Sequence, residues 1–305
     1  MSSNILSDPD LTVSLRVQGP DNPTESGCLY VIATPIGHLE DLSARATRLL
    51  DEVDWIAAED TRHSQTLLQA LGLKTPLISL HEHNEAARTQ TLLPRLQAGE
   101  VGALISDAGT PLINDPGYTL VRSLRQANVP VVPVPGPSAV IAALSAAGLP
   151  TDRFAYEGFL PAKAGKRQQA LKALLRETRT LVFYESPHRL LASLQAMAEC
   201  FPERELVVAK ELTKRFEAFV SGLSPEVHQW FCDHPETVRG EFVLMLSGAD
   251  SKRSEAEDGC DLEALIDAML AQGLPVKQIA EILTLATEHK KKALYQWVQT
   301  RKDRA

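Results

Sequence analysis

Between Gly27 and Leu149 five short apolar runs alternate with amphipathic stretches, and three of the runs end in loops rich in glycine and proline. The loops read Ala33-Thr34-Pro35-Ile36-Gly37, Ser106-Asp107-Ala108-Gly109-Thr110-Pro111 and Val134-Pro135-Gly136-Pro137-Ser138-Ala139. The runs Leu29–Ala33, Trp55–Ala58, Leu77–Leu80, Val101–Ser106 and Val129–Val134 have the length and composition of buried strands. Helical periodicity follows each of them, over Asp41–Leu50, Thr61–Leu71, Asn84–Leu96, Gly117–Ala127 and Ser138–Ala147. Ser138 stands where its hydroxyl would cap the last helix. Five strand-then-helix units predict a mostly parallel, twisted sheet with helices on both faces. In such a sheet, ligands bind at the loops that follow the strands. None of the three loops is a GxGxxG or a GxxxxGK[ST] phosphate loop. The pattern therefore predicts a small-molecule pocket lined by backbone, and argues against NAD or ATP in their usual modes.

The chain of 305 residues is long enough for more than one domain. After the first α/β domain (27–150), strand signals at Phe154–Phe159, Leu181–Glu185, Leu206–Glu211, Phe216–Val220 and Phe242–Leu246 predict a second, mixed-sheet α/β domain over 151–248. Its helices are expected at Lys166–Glu177, Pro187–Ala198 and Pro225–Phe231. The connection Leu149-Pro150-Thr151-Asp152 is short, so a cleft is expected between the two domains. A charged linker (249–260) leads to a C-terminal helical module (261–305), with helices expected at Leu262–Leu270, Pro275–Leu285 and Lys290–Thr300, an arrangement like a helix-turn-helix. Residues 1–26 are polar, without a signal-peptide pattern, and are expected to be a disordered extension. No apolar run approaches the roughly 18 residues that span a membrane, so a cytoplasmic location is expected.

The four cysteines are far apart and form no CxxC pair. His81-Glu82-His83 has no third ligand at a suitable spacing, so no metal is expected. A net charge of −8 argues against a generally basic nucleic-acid binder. Two local clusters run against it. One comprises Lys163, Lys166, Arg167, Lys172, Arg176 and Arg179, and the other Lys290, Lys291, Lys292, Arg301, Lys302 and Arg304.

The ordered motifs resemble a known family. Thr34-Pro35-Ile36-Gly37-His38-Leu39-Glu40-Asp41, Ala58-Glu59-Asp60-Thr61-Arg62, Ser106 to Pro111, Pro135 to Ala139, Tyr184-Glu185-Ser186-Pro187-His188-Arg189, Ala209-Lys210-Glu211-Leu212-Thr213-Lys214 and Arg239-Gly240-Glu241 are similar to the signatures of the tetrapyrrole methylase superfamily. The match is with its ribosomal RNA small subunit methyltransferase I group and extends over about nine-tenths of the chain, in the order expected. Tetrapyrrole enzymes of the superfamily carry Gly-Asp-Pro where this chain has Asp107-Ala108-Gly109, which argues against a porphyrin substrate.

The resemblance implies S-adenosylmethionine, folded into the cleft between the domains. It places Pro35 beneath the substrate side. Ser106, Asp107, Ala108, Thr110 and Pro111 would lie against the methionine and ribose portions, with Ser138 and Ala139 completing that wall. Tyr184, Glu185, Gly240 and Glu241 would lie on the adenosine side. The reaction implied is methylation of a cytidine 2′-hydroxyl in the decoding centre of 16S rRNA, in the small ribosomal subunit, by a homodimer. Such a transfer needs in-line positioning and removal of a proton. Lys210, Glu211, Glu185, Glu59, Asp60 and Arg62 are the catalytic candidates, and the sequence does not rank them. Lys163, Lys166, Arg167, Lys290, Lys291, Lys292 and Arg301 would contact RNA phosphates. Two other readings remain open at this stage: a methyltransferase acting on a small molecule or a protein, and a ligand-sensing DNA-binding regulator.

Overall fold

The computed structural model describes residues 27–250, 262–287 and 289–303. The extension 1–26, most of the linker, Cys260 and Arg304 lie outside the described residues.

The first half contains β1 (Leu29–Ile32), α1 (Ala44–Glu52), β2 (Trp55–Ala58), α2 (Thr61–Ala70), β3 (Leu77–Ser79), α3 (Glu85–Gln97), β4 (Gly102–Ile105), α4 (Tyr118–Gln126), β5 (Val131–Val134) and α5 (Ala139–Ala146). The strands lie in the order β3-β2-β4-β1-β5, and every pairing is parallel. Strands β2 and β4 are buried at every residue because helices cover both faces. Leu49, Leu50 and Leu68 pack on one face, and Leu92, Leu96, Leu120 and Leu124 on the other. Local chemistry starts the helices. The Ser43 hydroxyl accepts the Ala46 N–H at 3.1 Å, and the Asp60 carboxylate accepts the Arg62 and His63 N–H groups.

The second half contains β6 (Phe154–Phe159), α6 (Ala164–Ala173), β7 (Thr180–Glu185), α7 (Leu190–Cys200), β8 (Glu205–Lys210), β9 (Ala218–Leu223), α8 (Ser224–Asp233) and β10 (Phe242–Leu246). Its order is β6-β7-β10-β8-β9, with only β6 and β7 parallel. One face packs on α7 and α8 through Leu190, Leu194, Met197 and Phe231. The other face presents Val182, Val207, Val243 and Met245 to Val140, Ala143 and Leu144 of α5. Helix α5 is thus an apolar seam that joins the two halves.

At the C-terminus α9 (262–271), α10 (Val276–Ala286) and α11 (Lys291–Lys302) enclose their own core of Leu262, Ile266, Ile279, Leu283, Leu294 and Val298. Arg301 clamps α11 to α9, with both Asp267 oxygens and Glu263 as acceptors. Among the described residues no helix is long and apolar enough to cross a membrane.

Several elements differ from the sequence reading at their ends: α1 and α7 each begin three residues later than expected, at Ala44 and Leu190, and two other shifts have a visible cause. Helix α6 runs over Ala164–Ala173, not to Glu177. The chain leaves the helix early because Glu177 accepts two hydrogen bonds from the Arg179 guanidinium and one from its backbone N–H. Strand β9 starts at Ala218, not Phe216. Residues 211–217 are instead held as a turn, in which Glu217 accepts the Thr213 N–H at 2.6 Å.

Gly102 sits opposite Trp55 in the β2–β4 register, and the buried indole occupies the space where a Cβ would stand. The ring is fixed by a 2.9 Å bond from its Nε1 to Glu100. Gly102→Ala is expected to lower stability by about 1–3 kcal/mol in urea unfolding, and an unchanged midpoint would mean that the indole can move aside.

Candidate active site

Beyond the strand ends, the loops after β1, β4 and β5 are laced together. Thr34 and Gly109 exchange backbone hydrogen bonds of 2.9 and 3.0 Å, an antiparallel bridge at the edge of a parallel sheet. The Thr34 hydroxyl donates to the Ser106 carbonyl at 3.0 Å, and the Ser106 hydroxyl to the Gly109 carbonyl at 3.0 Å. The Thr110 hydroxyl donates to the Pro137 carbonyl at 3.0 Å, tying in the third loop.

Between these loops and the second sheet lies a cavity of about 340 Å³. Asp107, Ala108, Thr110, Ser138, Ala139, Tyr184, Glu185 and Glu241 all line it, and so does Glu59. Pro35, Ser106, Pro111 and Gly240 do not line it and serve the loops behind it. Ser138 stands at the start of α5, but its hydroxyl makes no capping bond, contrary to the sequence reading. It faces the cavity instead, while the Tyr184 hydroxyl engages the backbone of Val140 from across the cleft.

The structure brings in a carboxylate that the sequence reading missed. Asp115 lines the cavity with Glu59 and Asp107. Burial pushes the Asp115 carboxyl up to about 6, helped by the charges of Glu59 and Asp107 and opposed by a hydrogen bond from Ser106. Glu59 is also raised, first by burial and then by Asp107. The available signal was Asn114-Asp115-Pro116-Gly117, a turn sequence only ten residues after β4. Asn114 and Leu112 both have positive φ (73° and 71°), and this strained loop is what turns Asp115 inward.

The other catalytic candidates are committed elsewhere. Glu185 is buried and accepts from Ser193 Oγ at 2.5 Å, from the Ser186 N–H at 2.9 Å and from Arg189. Glu211 accepts the Glu241 N–H and the Lys214 ammonium, each at 3.0 Å. Burial opposes ionisation of Glu211, but these two partners outweigh it and hold its carboxyl low. Gly240 permits this arrangement, since φ is +85° there and a Cβ would collide with the Glu211 carboxylate. Asp60 is the α2 cap, held low by the backbone N–H groups it accepts. Arg62 is exposed on the first turn of α2 and lines no part of the cavity. Lys210 ends β8 opposite Phe242 and does not line the cavity, although Phe242 does. His81 belongs to the turn before α3, where its ring meets Asn84. Among the described residues no group of His, Cys, Asp and Glu could hold a metal ion.

The profile of the tetrapyrrole (corrin/porphyrin) methylases matches residues 28–228. The chain belongs to this family. Ribosomal RNA small subunit methyltransferase I of Pseudomonas aeruginosa is 50% identical over 272 residues, covering 89% of this chain and 96% of that protein. The protein of the same name from Escherichia coli O157:H7 is 49% identical over 282 residues, with 92% and 96% covered. Among solved structures, uroporphyrin-III-C-methyltransferase from Thermus thermophilus superposes with a TM-score of 0.52 at 25% identity, covering 72% of this chain and 94% of that one. Diphthine synthase shares the fold, with a TM-score of 0.55 at 12% identity, covering 72% and 90%. As a tetrapyrrole methylase the chain is a methyltransferase, and the cavity sits where the three loops of this methylase fold meet the second sheet.

The raised carboxyl has a measurable consequence. Asp115 binds its proton more tightly when folded, so the stability this confers is present at low pH and is lost as pH rises from about 4 through about 6. Asp115→Asn should therefore gain on the wild type across that window, by about 1–2 kcal/mol after allowing for solvent screening, and level off above it. Urea titrations at a series of pH values read this directly. A difference that stays flat from pH 4 to 7 would show an ordinary carboxylate.

Proposed function

We propose that this methyltransferase transfers a methyl group from S-adenosylmethionine to the 2′-hydroxyl of a cytidine in the decoding centre of 16S rRNA, as a cytoplasmic homodimer acting on the small ribosomal subunit. The observation that carries the reading is the match between the cavity's donor set and the cofactor, in a chain half identical to ribosomal RNA methyltransferases. Asp107, Glu59 and Asp115 suit a cofactor with an ammonium and a sulfonium. The start of α5, with no side-chain cap and the Ser138 hydroxyl beside it, suits a carboxylate. Ile36, Leu212 and Val243 supply apolar walls for a planar base. A volume of about 340 Å³ falls within the range of small-molecule sites. Ala108, Thr110, Ala139, Tyr184, Glu185 and Glu241 complete the proposed contact set, with Pro35, Ser106, Pro111 and Gly240 holding the loops behind them.

S-adenosylmethionine supplies a methyl group on a good leaving group, so the protein's work is positioning and proton removal. Glu59 and Asp115 are the cavity carboxylates whose proton affinity is raised, which suits them to accept a proton from a weakly acidic ribose hydroxyl. Glu185 and Glu211 are occupied by internal partners and serve as architecture.

For RNA, the basic residues divide by what they already bind. Arg167 is buried and donates to the Ala162 carbonyl, Arg301 is clamped by Asp267 and Glu263, and Lys291 pairs with Glu281 at 2.8 Å. Lys163, Lys166, Lys290 and Lys292 are exposed and have no ion pair among the described residues, so they are the proposed phosphate contacts.

The deciding experiment presents labelled S-adenosylmethionine to small subunits lacking the modification, with free 16S rRNA in parallel. Label on one cytidine ribose is the expected result. Cofactor binding without label on either RNA would favour a small-molecule substrate. In the same assay Glu59→Gln should lower kcat, read at saturating cofactor, by about 10²-fold. An unchanged kcat would remove Glu59 as the acceptor.

A further inference from the structure

The turn between β8 and β9 is strained, rigid and tipped with an exposed aromatic. Glu211 and Thr213 both have positive φ, at 50° and 62°. Such residues persist only where the surroundings over-determine them. Here they do. Glu211 exchanges backbone and side-chain bonds with Glu241, and Lys214 bridges the Glu211 and Glu241 carboxylates at 3.0 and 2.9 Å. The Lys214 N–H donates to the Glu211 carbonyl and the Glu217 N–H to the Lys214 carbonyl. The first half of the chain seals the turn: the His38 N–H donates to the Thr213 hydroxyl at 3.1 Å, and Gly37 packs so closely that a Cβ would collide with Thr213 and Lys214.

This scaffold holds out Arg215 and Phe216. The Arg215 guanidinium lies over the Phe216 ring, 5.6 Å from its centroid. Phe216 is 68% exposed, more than any other aromatic side chain among the described residues. The same turn forms part of the cavity rim, because Leu212 and Glu241 line the cavity. Phe216 lies four residues beyond Leu212, a span of at most about 14 Å. A rigid aromatic face paired with a cation, beside the cavity proposed to hold the cofactor, has the chemistry of an unpaired-base platform: the ring stacks on a base and the guanidinium stacks or meets phosphate.

We propose that Arg215 and Phe216 form a stacking platform for an unpaired RNA base flanking the nucleotide whose ribose is presented at the mouth of the cavity, a proposal that rests on the RNA-methylation reading above. A nucleotide turned toward the cofactor leaves its neighbour without a stacking partner, and the Phe216 ring replaces that partner. Stacking of this kind is worth about 1–3 kcal/mol per base, which corresponds to roughly five-fold to 150-fold in affinity.

The test compares wild type, Phe216→Trp, Phe216→Leu and Phe216→Ala in methylation of unmodified small subunits, with cofactor affinity and sedimentation measured for each. Phe216→Ala and Phe216→Leu are expected to raise KM for the subunit by about ten-fold, while Phe216→Trp stays near wild type and all four bind cofactor and sediment alike. Recovery by leucine would overturn the proposal, because a greasy contact would then suffice. A change in oligomeric state would overturn it in favour of a protein interface, and an unchanged KM in Phe216→Ala would overturn it outright. Wild-type protein that methylates neither subunits nor free rRNA would instead bring down the reading on which the proposal rests.

Discussion

Thr34 and Gly109 bind each other backbone to backbone where no strand continues, and the site depends on that exchange. A parallel sheet satisfies its strands but leaves the loops beyond their ends without partners. By pairing the loop after β1 with the loop after β4, the bridge gives both loops a fixed course. The Thr34 and Thr110 hydroxyls then satisfy the Ser106 and Pro137 carbonyls, and the Ser106 hydroxyl adds a second bond to the Gly109 carbonyl. Each of these bonds contributes about 1 kcal/mol net, but together they settle where Asp107, Ala108 and Ser138 stand. The cavity floor is built of short hydroxyl side chains and backbone, which is why glycine, proline, serine and threonine dominate its sequence.

Opposite this floor, the second sheet arrives through α5. The helix packs Val140, Ala143 and Leu144 on Val182, Val243 and Met245, so the cleft has an apolar hinge line and a polar mouth. Three carboxylates then share a partly dry space, where the charge of Asp107 makes ionisation of Glu59 and Asp115 harder and that of Glu59 makes ionisation of Asp115 harder. That repulsion suits a site built for a cationic ligand. At the rim, the Glu211–Lys214–Glu241 cluster converts a strained turn into a rigid one, so Phe216 is presented without freedom to collapse onto the protein.

Much of the fold was legible from residue order. Strands such as Trp55–Ala58 and Phe242–Leu246 begin and end where their apolar runs do, because a fully buried strand tolerates no polar interruption. The errors arose where a side chain overrode periodicity. Glu177 turned back to Arg179 and shortened α6, and Glu217 took the Thr213 N–H and moved the start of β9. Ser138 had the right residue type for a cap, yet its hydroxyl faces the cavity. The basic clusters were equally opaque. Charge can be counted in a sequence, but only packing shows that Arg301 serves α9 and that Arg167 is buried, while Lys290 and Lys292 face solvent.

By itself the sequence determined the succession of strands and helices, the three loops and the family, because these follow from local periodicity, turn chemistry and motif order. Only the tertiary structure decided which acids meet in the cavity. Glu59 follows β2 while Asp107 and Asp115 follow β4, and they converge because β2 and β4 are neighbours in the sheet. It also decided that Lys210 stays out of the cavity lining while its cross-strand neighbour Phe242 joins it, since which side chains reach a cleft depends on what packs around them. Proton affinity and exposure belong to that level as well, being properties of the space around a side chain and not of its place in the chain.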